Sequence, residues 1–169
     1  GIEDKELLQQ AAGLFDIHPL VMEDIQNPNQ RAKIEDYNDS LYVVLRMFAL
    51  VNDEIVDQQV SIVLRNNFLL TFREADFSVF KKNIGDKLLH NTGALRKKGE
   101  DYLLYYLLDV IIDNYFFVIE SVEERVERLE QEIFRNPHDG QLVTQQRLKG
   151  DVMYTRKYIV PVRDLITNL

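Results

Sequence analysis

The first part of the chain has a helical pattern of hydrophobic residues. Apolar side chains recur at intervals of three and four residues over 3–16, which predicts an amphipathic helix. A shorter helix is predicted over 19–26, because Pro19 suits a first helical turn and an Asn-Pro sequence ends the pattern. His18, directly before Pro19, is expected to cap this helix or lie on the surface rather than to act in catalysis.

From residue 41 the pattern changes to the alternation that is typical of β-strands. Three runs fit this period, and Asn-Asp and Asn-Asn sequences between them suit tight turns because Asn tolerates positive φ. In order along the chain they predict an antiparallel meander. Helical spacing then returns over 76–90. The predicted strands are 41–48, 59–64 and 68–72.

The longest periodic segment lies in the second half of the chain. Apolar residues from Leu104 to Ile133 follow a near-heptad spacing, which predicts a helix of roughly 35 residues, or about 50 Å. An Asn-Pro sequence ends it, and helical spacing resumes with Leu142, Val152 and Ile166 among the apolar positions. The pattern therefore predicts a long antiparallel helix hairpin.

Taken together, these elements predict an α+β fold. A mainly antiparallel sheet is packed with helices and is followed by the long antiparallel helix hairpin. No flexible linker interrupts the chain, so we expect a single domain over 1–169. Its helix and sheet part is expected at 1–99 and the hairpin at 100–169.

Composition narrows the class of protein. Hydrophobic residues make up 46% of the chain and charged residues 28%, as in folded globular proteins. The chain has no cysteine, which excludes disulfides and thiolate-bound zinc. Its net charge of −8 repels phosphate backbones and attracts cations, so no nucleic-acid partner is expected.

The sequence also argues against a membrane-spanning segment and against an enzyme. The most apolar run, 102–119, is interrupted by Asp109 and Asp113, so no membrane span is expected in the chain. There is also no Gly-rich phosphate loop, no G-x-S-x-G sequence and no H-E-x-x-H sequence. Without a nucleophile and base pair, an enzyme is not expected.

Carboxylates are the remaining candidate chemistry. Glu23 and Asp24 are adjacent on the short second helix, an arrangement that is usually solvated surface. Asp109 and Asp113 are one turn apart on the long helix, where like charges repel each other and a cation would relieve the repulsion. Hard cations such as Mg²⁺ prefer such oxygen ligands. From the residues alone, surface acid and metal ligand both remain open.

Several blocks of the chain resemble one family. The string IHPLVMEDIQNPNQRAKIEDYNDSLYVVLRMF is similar to the cytoplasmic-domain signature of the CorA magnesium transporters. The resemblance continues, in order, through QVSIVL, FLLTFRE, RKKGEDYLLYYLLDVIIDNYF and YIVPVRDLITNL, and so covers nearly the whole chain.

The resemblance implies an α/β/α sandwich, in which helices cover both faces of the central sheet. It also implies a cytoplasmic Mg²⁺-sensing domain of a Mg²⁺/Co²⁺ transporter, a homopentamer at the cytoplasmic face of the inner membrane. Mg²⁺ is the implied regulatory and transported ion, with Co²⁺ as another. Metal binding between subunits would gate the pore, with Glu23, Asp24 and Asp109 as ligands. Asp113 is a further candidate, because it is one helical turn from Asp109. The membrane segment is expected downstream of this chain, so the isolated chain is expected to be soluble and a monomer or weak oligomer.

Two alternatives remain open at this point. One is the equivalent domain of a zinc-transporting member of the superfamily, since the residues that select the metal lie in the pore. The other is a soluble interaction domain whose acidic hairpin binds a basic partner. Only the two metal-sensing hypotheses predict that divalent cations change the oligomeric assembly.

Overall fold

The helices at the N-terminus lie where local sequence signals place them. The computed structural model describes residues 2, 4–37, 39–74, 80–90, 94–138 and 140–167. Helix α1 (Lys5–Phe15) begins at Asp4, whose Oδ1 accepts a hydrogen bond from the Leu7 amide at 3.0 Å. Helix α2 (Pro19–Gln26) is capped by His18 Nδ1, which accepts from the Leu20 amide at 3.2 Å. The predicted capping role of His18 is confirmed.

Four antiparallel strands form one sheet in the order β1-β2-β3-β4. They are β1 (Lys33–Tyr37), β2 (Ser40–Val51), β3 (Glu54–Arg65) and β4 (Phe68–Arg73). The predicted meander corresponds to β2, β3 and β4, and the turn after β2 has positive φ at both central residues, as a tight hairpin requires. Strand β1 is an addition that the pattern did not predict, because it is short, charged and held only at the edge of the sheet.

Helices return after the sheet. A π-helical turn (Lys81–Gly85) leads into α3 (Asp86–Leu89), while the first four residues of the predicted helix 76–90 lie outside the described residues. The hairpin consists of α4 (Glu100–Arg135) and α5 (Gly140–Thr167). Its first arm is 36 residues long, in agreement with the length predicted from the near-heptad spacing.

The sheet separates two apolar layers, and the predicted α/β/α arrangement is confirmed. On one face, strand residues such as Val44 and Val63 pack against α1 and α2. On the other face, residues such as Leu45 and Ile62 pack against α4, and Val162 of α5 joins the same cluster. Alternate residues of a strand point to opposite faces, so one sheet supplies both layers.

Helix α4 is long and apolar enough, by length and composition, to cross a membrane, but 44% of its most apolar window is buried within the fold. Residues on one side of it, including Leu104, Leu107, Ile111 and Val118, belong to the core cluster that covers the sheet. Its apolar character is therefore accounted for by packing in the core, and we treat it as a core helix.

The second arm is less buried than its spacing predicts. Leu148, Thr155, Val162 and Leu165 of α5 are buried. The predicted apolar positions Leu142, Val152 and Ile166 are 61%, 46% and 42% exposed. A helix that contacts its neighbours along one narrow stripe cannot bury every apolar position of a broad helical face.

The buried Tyr42 should make stability fall at alkaline pH. Burial raises the pKa of Tyr42 to about 12, although its hydrogen bond with Ser61 opposes the shift. The unfolded value is about 10, so the contribution is complete below pH ~10 and is lost as pH rises towards ~12. We expect unfolding free energy to fall by about 2 kcal/mol from this group across that window, as measured by urea unfolding.

Tyr42→Phe should reduce this alkaline decline by its own share, with the rest coming from other groups whose pKa is raised by folding, such as Lys33 and Tyr115. Tyr105→Phe, at a ring that is 61% exposed, should leave the decline unchanged. An unaltered slope in the Tyr42→Phe protein would show that another group causes the decline.

Candidate functional site

Helix α2 is fixed to the sheet by a buried glutamine. Gln59 of β3 is 1% exposed, and its Nε2 donates to the backbone carbonyls of Asp24 at 3.1 Å and of Ile25 at 3.4 Å. Ile25, on the same helix, has a fully buried side chain. The backbone that carries Asp24 therefore has a defined position, with the side chain directed towards the edge strand β1.

Both carboxylate oxygens of Asp24 have partners within the chain. Gln30 Nε2 donates to Oδ1 at 2.6 Å, and Lys33 Nζ donates to Oδ2 at 2.7 Å. The Asp24 side chain is only 18% exposed and that of Lys33 is 29% exposed. Asp24 is thus a partly buried carboxylate that already forms an ion pair with a lysine.

The lysine also contacts a second acid. Lys33 Nζ lies 2.9 Å from Glu35 Oε2, which in turn accepts from the Tyr37 hydroxyl at 2.8 Å. The hydrogen bond from Lys33 is the main cause of a lowered pKa at Glu35. Burial alone would lower the pKa of Lys33, but its hydrogen bonds to the two carboxylates outweigh that effect and raise the pKa. We name Asp24, Gln30, Lys33, Glu35 and Tyr37 the Asp24 cluster.

The other predicted ligands are not brought to this cluster. Glu23 is exposed on α2, and Asp109 and Asp113 are exposed on α4. Across the part of the chain that the structure describes, no three Asp, Glu or His side chains lie close enough together to hold a metal ion. A single copy of the chain therefore does not gather these four carboxylates into one site.

The donor chemistry nevertheless fits a hard divalent cation. Carboxylate oxygens are the ligands that Mg²⁺ prefers, and Mg²⁺ commonly keeps several waters while taking only one or two carboxylates from the protein. Exposed acids such as Glu23 and Asp109 are accessible from solvent or from a second copy. In a single copy, the charge of Asp24 is neutralised by Lys33.

Lys33, Gln30 and Gln59 are the site residues that sequence reasoning missed. One signal was available in the sequence. Lys33 and Glu35 are two residues apart, and this spacing puts both side chains on the same face of a strand. The contact from Lys33 to Asp24, in contrast, depends on how α2 lies across the edge of the sheet.

A second polar cluster connects the end of α2 to the hairpin. Arg46 Nη1 donates to the carbonyl of Pro28 at 2.5 Å, and the same guanidinium pairs with Asp57. Asp57 also accepts a hydrogen bond from the Tyr154 hydroxyl of α5. We name Arg46, Asp57 and Tyr154 the Arg46 network. It joins the loop after α2, the sheet and the second arm of the hairpin.

Comparison with known proteins identifies the family of this chain. The model of the family described as CorA-like Mg²⁺ transporter protein matches residues 2–169. The chain belongs to this family. The family is one of transporters, in agreement with the expectation that the chain is not an enzyme.

Curated relatives agree with the family. The chain is 35% identical over 171 residues to the cobalt/magnesium transport protein CorA of Thermotoga maritima, covering 100% of this chain and 48% of that protein. It is 24% identical over 144 residues to the protein of the same description from Methanocaldococcus jannaschii, covering 81% of this chain and 43% of that protein. The chain thus spans about half the length of these relatives.

Solved structures share the fold. The soluble domain of CorA from Methanocaldococcus jannaschii superposes with a TM-score of 0.79 at 18% identity, over 97% of this chain and 65% of that one. The cytoplasmic domain of ZntB from Vibrio parahaemolyticus gives a TM-score of 0.75 at 12% identity, over 95% and 65%. At these identities the likeness concerns the fold alone.

Proposed function

We propose that this chain is the cytoplasmic Mg²⁺-sensing part of a divalent-cation transporter, with Mg²⁺ and Co²⁺ as transported ions. The observation that carries the proposal is the placement of Asp24. Its carboxylate is fixed at the edge of the sheet by the fold, in the block of sequence that matches the family. Two relatives, which match 100% and 81% of this chain, are described as cobalt/magnesium transport proteins.

The proposed site lies between subunits of a homopentamer. Asp24 and Glu23 of one copy would face an acid of its neighbour, and Asp109, with Asp113 as a further candidate, would contribute from α4. The described carboxylates of one copy do not form a group of three possible ligands, so the proposed site takes further ligands from the neighbouring copy. Mg²⁺ would supply the positive charge that lets acids of neighbouring copies lie close together.

The sensing mechanism follows from charge. Carboxylates that face each other across a subunit boundary repel when no cation neutralises them, and this favours an open arrangement of the ring. Moving a gate from mostly closed to mostly open takes about 5.5 kcal/mol of differential binding. Shared among the interfaces of a pentamer, this is roughly 1 kcal/mol each, which a weak site can supply.

The Arg46 network offers a physical route from the site to the hairpin. Arg46 binds the carbonyl of Pro28, just beyond α2, and its partner Asp57 binds Tyr154 of α5. Because the side chains of Arg46 and Asp57 are largely buried, a displacement of α2 would change their hydrogen bonds rather than be absorbed by solvent. This connection supports transmission of a change at Asp24 to the second arm.

The proposal is tested with Asp24→Asn in the complete gene product, assayed by protease protection as Mg²⁺ is titrated. The amide keeps the shape but loses the charge that a cation requires. We expect half-protection to need on the order of tenfold more Mg²⁺ than in the unmodified protein. Protection at the same concentration would show that Asp24 is not a regulatory ligand.

Asp36→Asn is the matched control, since it removes the same charge from an exposed position on β1. It should shift the Mg²⁺ concentration of half-protection by less than about twofold, because surface substitutions usually have small effects. Repeating the titration with Zn²⁺ in place of Mg²⁺ tests the alternative that the chain belongs to a zinc transporter. A soluble interaction domain predicts that no divalent cation changes protection in any variant.

A further inference from the structure

The ammonium group of Lys33 occupies the position at which a cation would meet Asp24. Nζ is 2.7 Å from Asp24 Oδ2 and 2.9 Å from Glu35 Oε2, so it bridges a carboxylate of α2 and one of β1. The remaining oxygen of Asp24 is taken by Gln30 at 2.6 Å. A divalent cation that binds Asp24 through Oδ2 must therefore replace Lys33.

The surroundings allow such a replacement. The Lys33 side chain is 29% exposed, and a lysine stem is flexible with three donors that can be redistributed. Glu35 is held in place by the Tyr37 hydroxyl at 2.8 Å, so an ammonium that leaves Asp24 keeps a fixed carboxylate partner. Lys33 can therefore move from sharing two acids to pairing with one, without becoming an unpaired charge.

We propose that Lys33 is the built-in counter-ion of Asp24 and competes with divalent cations for its carboxylate. The competition sets the cation concentration at which the site fills. The inference rests on the proposed function, and it adds a residue that raises the threshold without being a ligand. Among the proposed ligands the effect is specific to Asp24, since Glu35 is the other acid that Lys33 contacts.

A purely structural role makes a different prediction. If the Lys33 pair only fastens β1 to α2, its removal lowers thermal stability and leaves the Mg²⁺ midpoint of a folded protein unchanged. If Lys33 competes with the cation, its removal lowers that midpoint. The two roles therefore differ in a quantity that can be measured apart from stability.

The experiment compares variants of the complete gene product, with the Mg²⁺ midpoint of protease protection and direct Mg²⁺ binding by calorimetry as readouts. Lys33→Met keeps the length of the side chain and removes the charge, and we expect its midpoint to fall roughly fivefold to tenfold. Lys33→Gln keeps a donor for Asp24 without the charge and should give the same direction, which covers the case that Lys33→Met does not fold. Lys33→Arg keeps the charge and should remain close to the unmodified protein.

Lys149→Met is the control for net charge, because Lys149 is exposed on α5. It should change the midpoint by less than about twofold, as expected for a screened surface charge. An unchanged midpoint in both Lys33→Met and Lys33→Gln, with Asp24→Asn still shifting it, overturns the counter-ion role alone. If Asp24→Asn also leaves the midpoint unchanged, the proposed function itself fails.

Discussion

Arg46→Met is expected to lower the free energy of unfolding by about 3 kcal/mol, because removing one partner of a buried ion pair leaves the other uncompensated. The side chains of Arg46 and Asp57 are only 11% and 9% exposed. The substitution also removes the donor to the Pro28 carbonyl and the guanidinium that lies 5.5 Å from the centre of the Tyr158 ring. Urea unfolding followed by circular dichroism measures the loss.

Arg163→Met provides the matched comparison. Arg163 forms an ion pair with Asp164, but the two side chains are 76% and 63% exposed, so the loss should stay below about 1 kcal/mol. A further variant, Arg46→Met with Asp57→Leu, removes the stranded carboxylate and should recover part of the stability. Equal losses in Arg46→Met and Arg163→Met would contradict the assignment of Arg46 as a buried structural partner.

Phe48→Ala is expected to cost about 3 to 5 kcal/mol, the range for removing a fully buried phenylalanine. Phe48 is completely buried near the end of β2, and its ring centre lies 5.7 Å from that of Tyr115 on α4. It lies 6.3 Å from the rings of Tyr154 and Tyr158 on α5. One side chain therefore packs the sheet against both arms of the hairpin, and the same unfolding measurement tests its contribution.

Phe116→Ala separates the effect of position from that of residue type. Phe116 is on α4 but is 60% exposed, so its removal creates no internal cavity. We expect a loss below about 1 kcal/mol. If the two alanine variants were equally stable, Phe48 would not be the contact that holds the hairpin to the sheet.

The Asp24 and Arg46 sites should respond differently to substitution. Changes at Asp24 and Lys33 are expected to move the Mg²⁺ midpoint with modest effects on stability, because these groups are partly exposed. Changes at Arg46 and Phe48 are expected to act first on stability, because both side chains are buried between elements. Measuring both quantities for every variant separates the residues that act on cation binding from those that only hold the fold.

Local patterns in the sequence were sufficient for most of the secondary structure. Helix α2 has the bounds that Pro19 and the following Asn-Pro sequence predict, because these residues act through their own backbone geometry. The long α4 follows from a sustained apolar spacing that only a helix satisfies. The strand patterns of β2, β3 and β4 also predicted the antiparallel meander, whereas helices on both faces of the sheet were implied by the resemblance to the family.

The tertiary structure decided the features that depend on non-local pairing. Strand β1 is a charged segment that becomes a strand only by hydrogen bonding to β2. Apolar spacing predicted a buried face on α5, but Leu142 and Val152 remain exposed, because burial depends on whether another element lies over them.

The same division holds for the candidate site. The sequence by itself determined that oxygen-rich, cation-attracting chemistry is present, since Glu23, Asp24 and Asp109 can be read directly and their type fixes their ligand preference. Only the tertiary structure showed that Lys33 neutralises Asp24, while Glu23 and Asp109 stay exposed and no three of the described acids or histidines come together. The physical reason is that an ion pair forms between side chains close in space, and that proximity is created by the packing of α2 against the edge of the sheet.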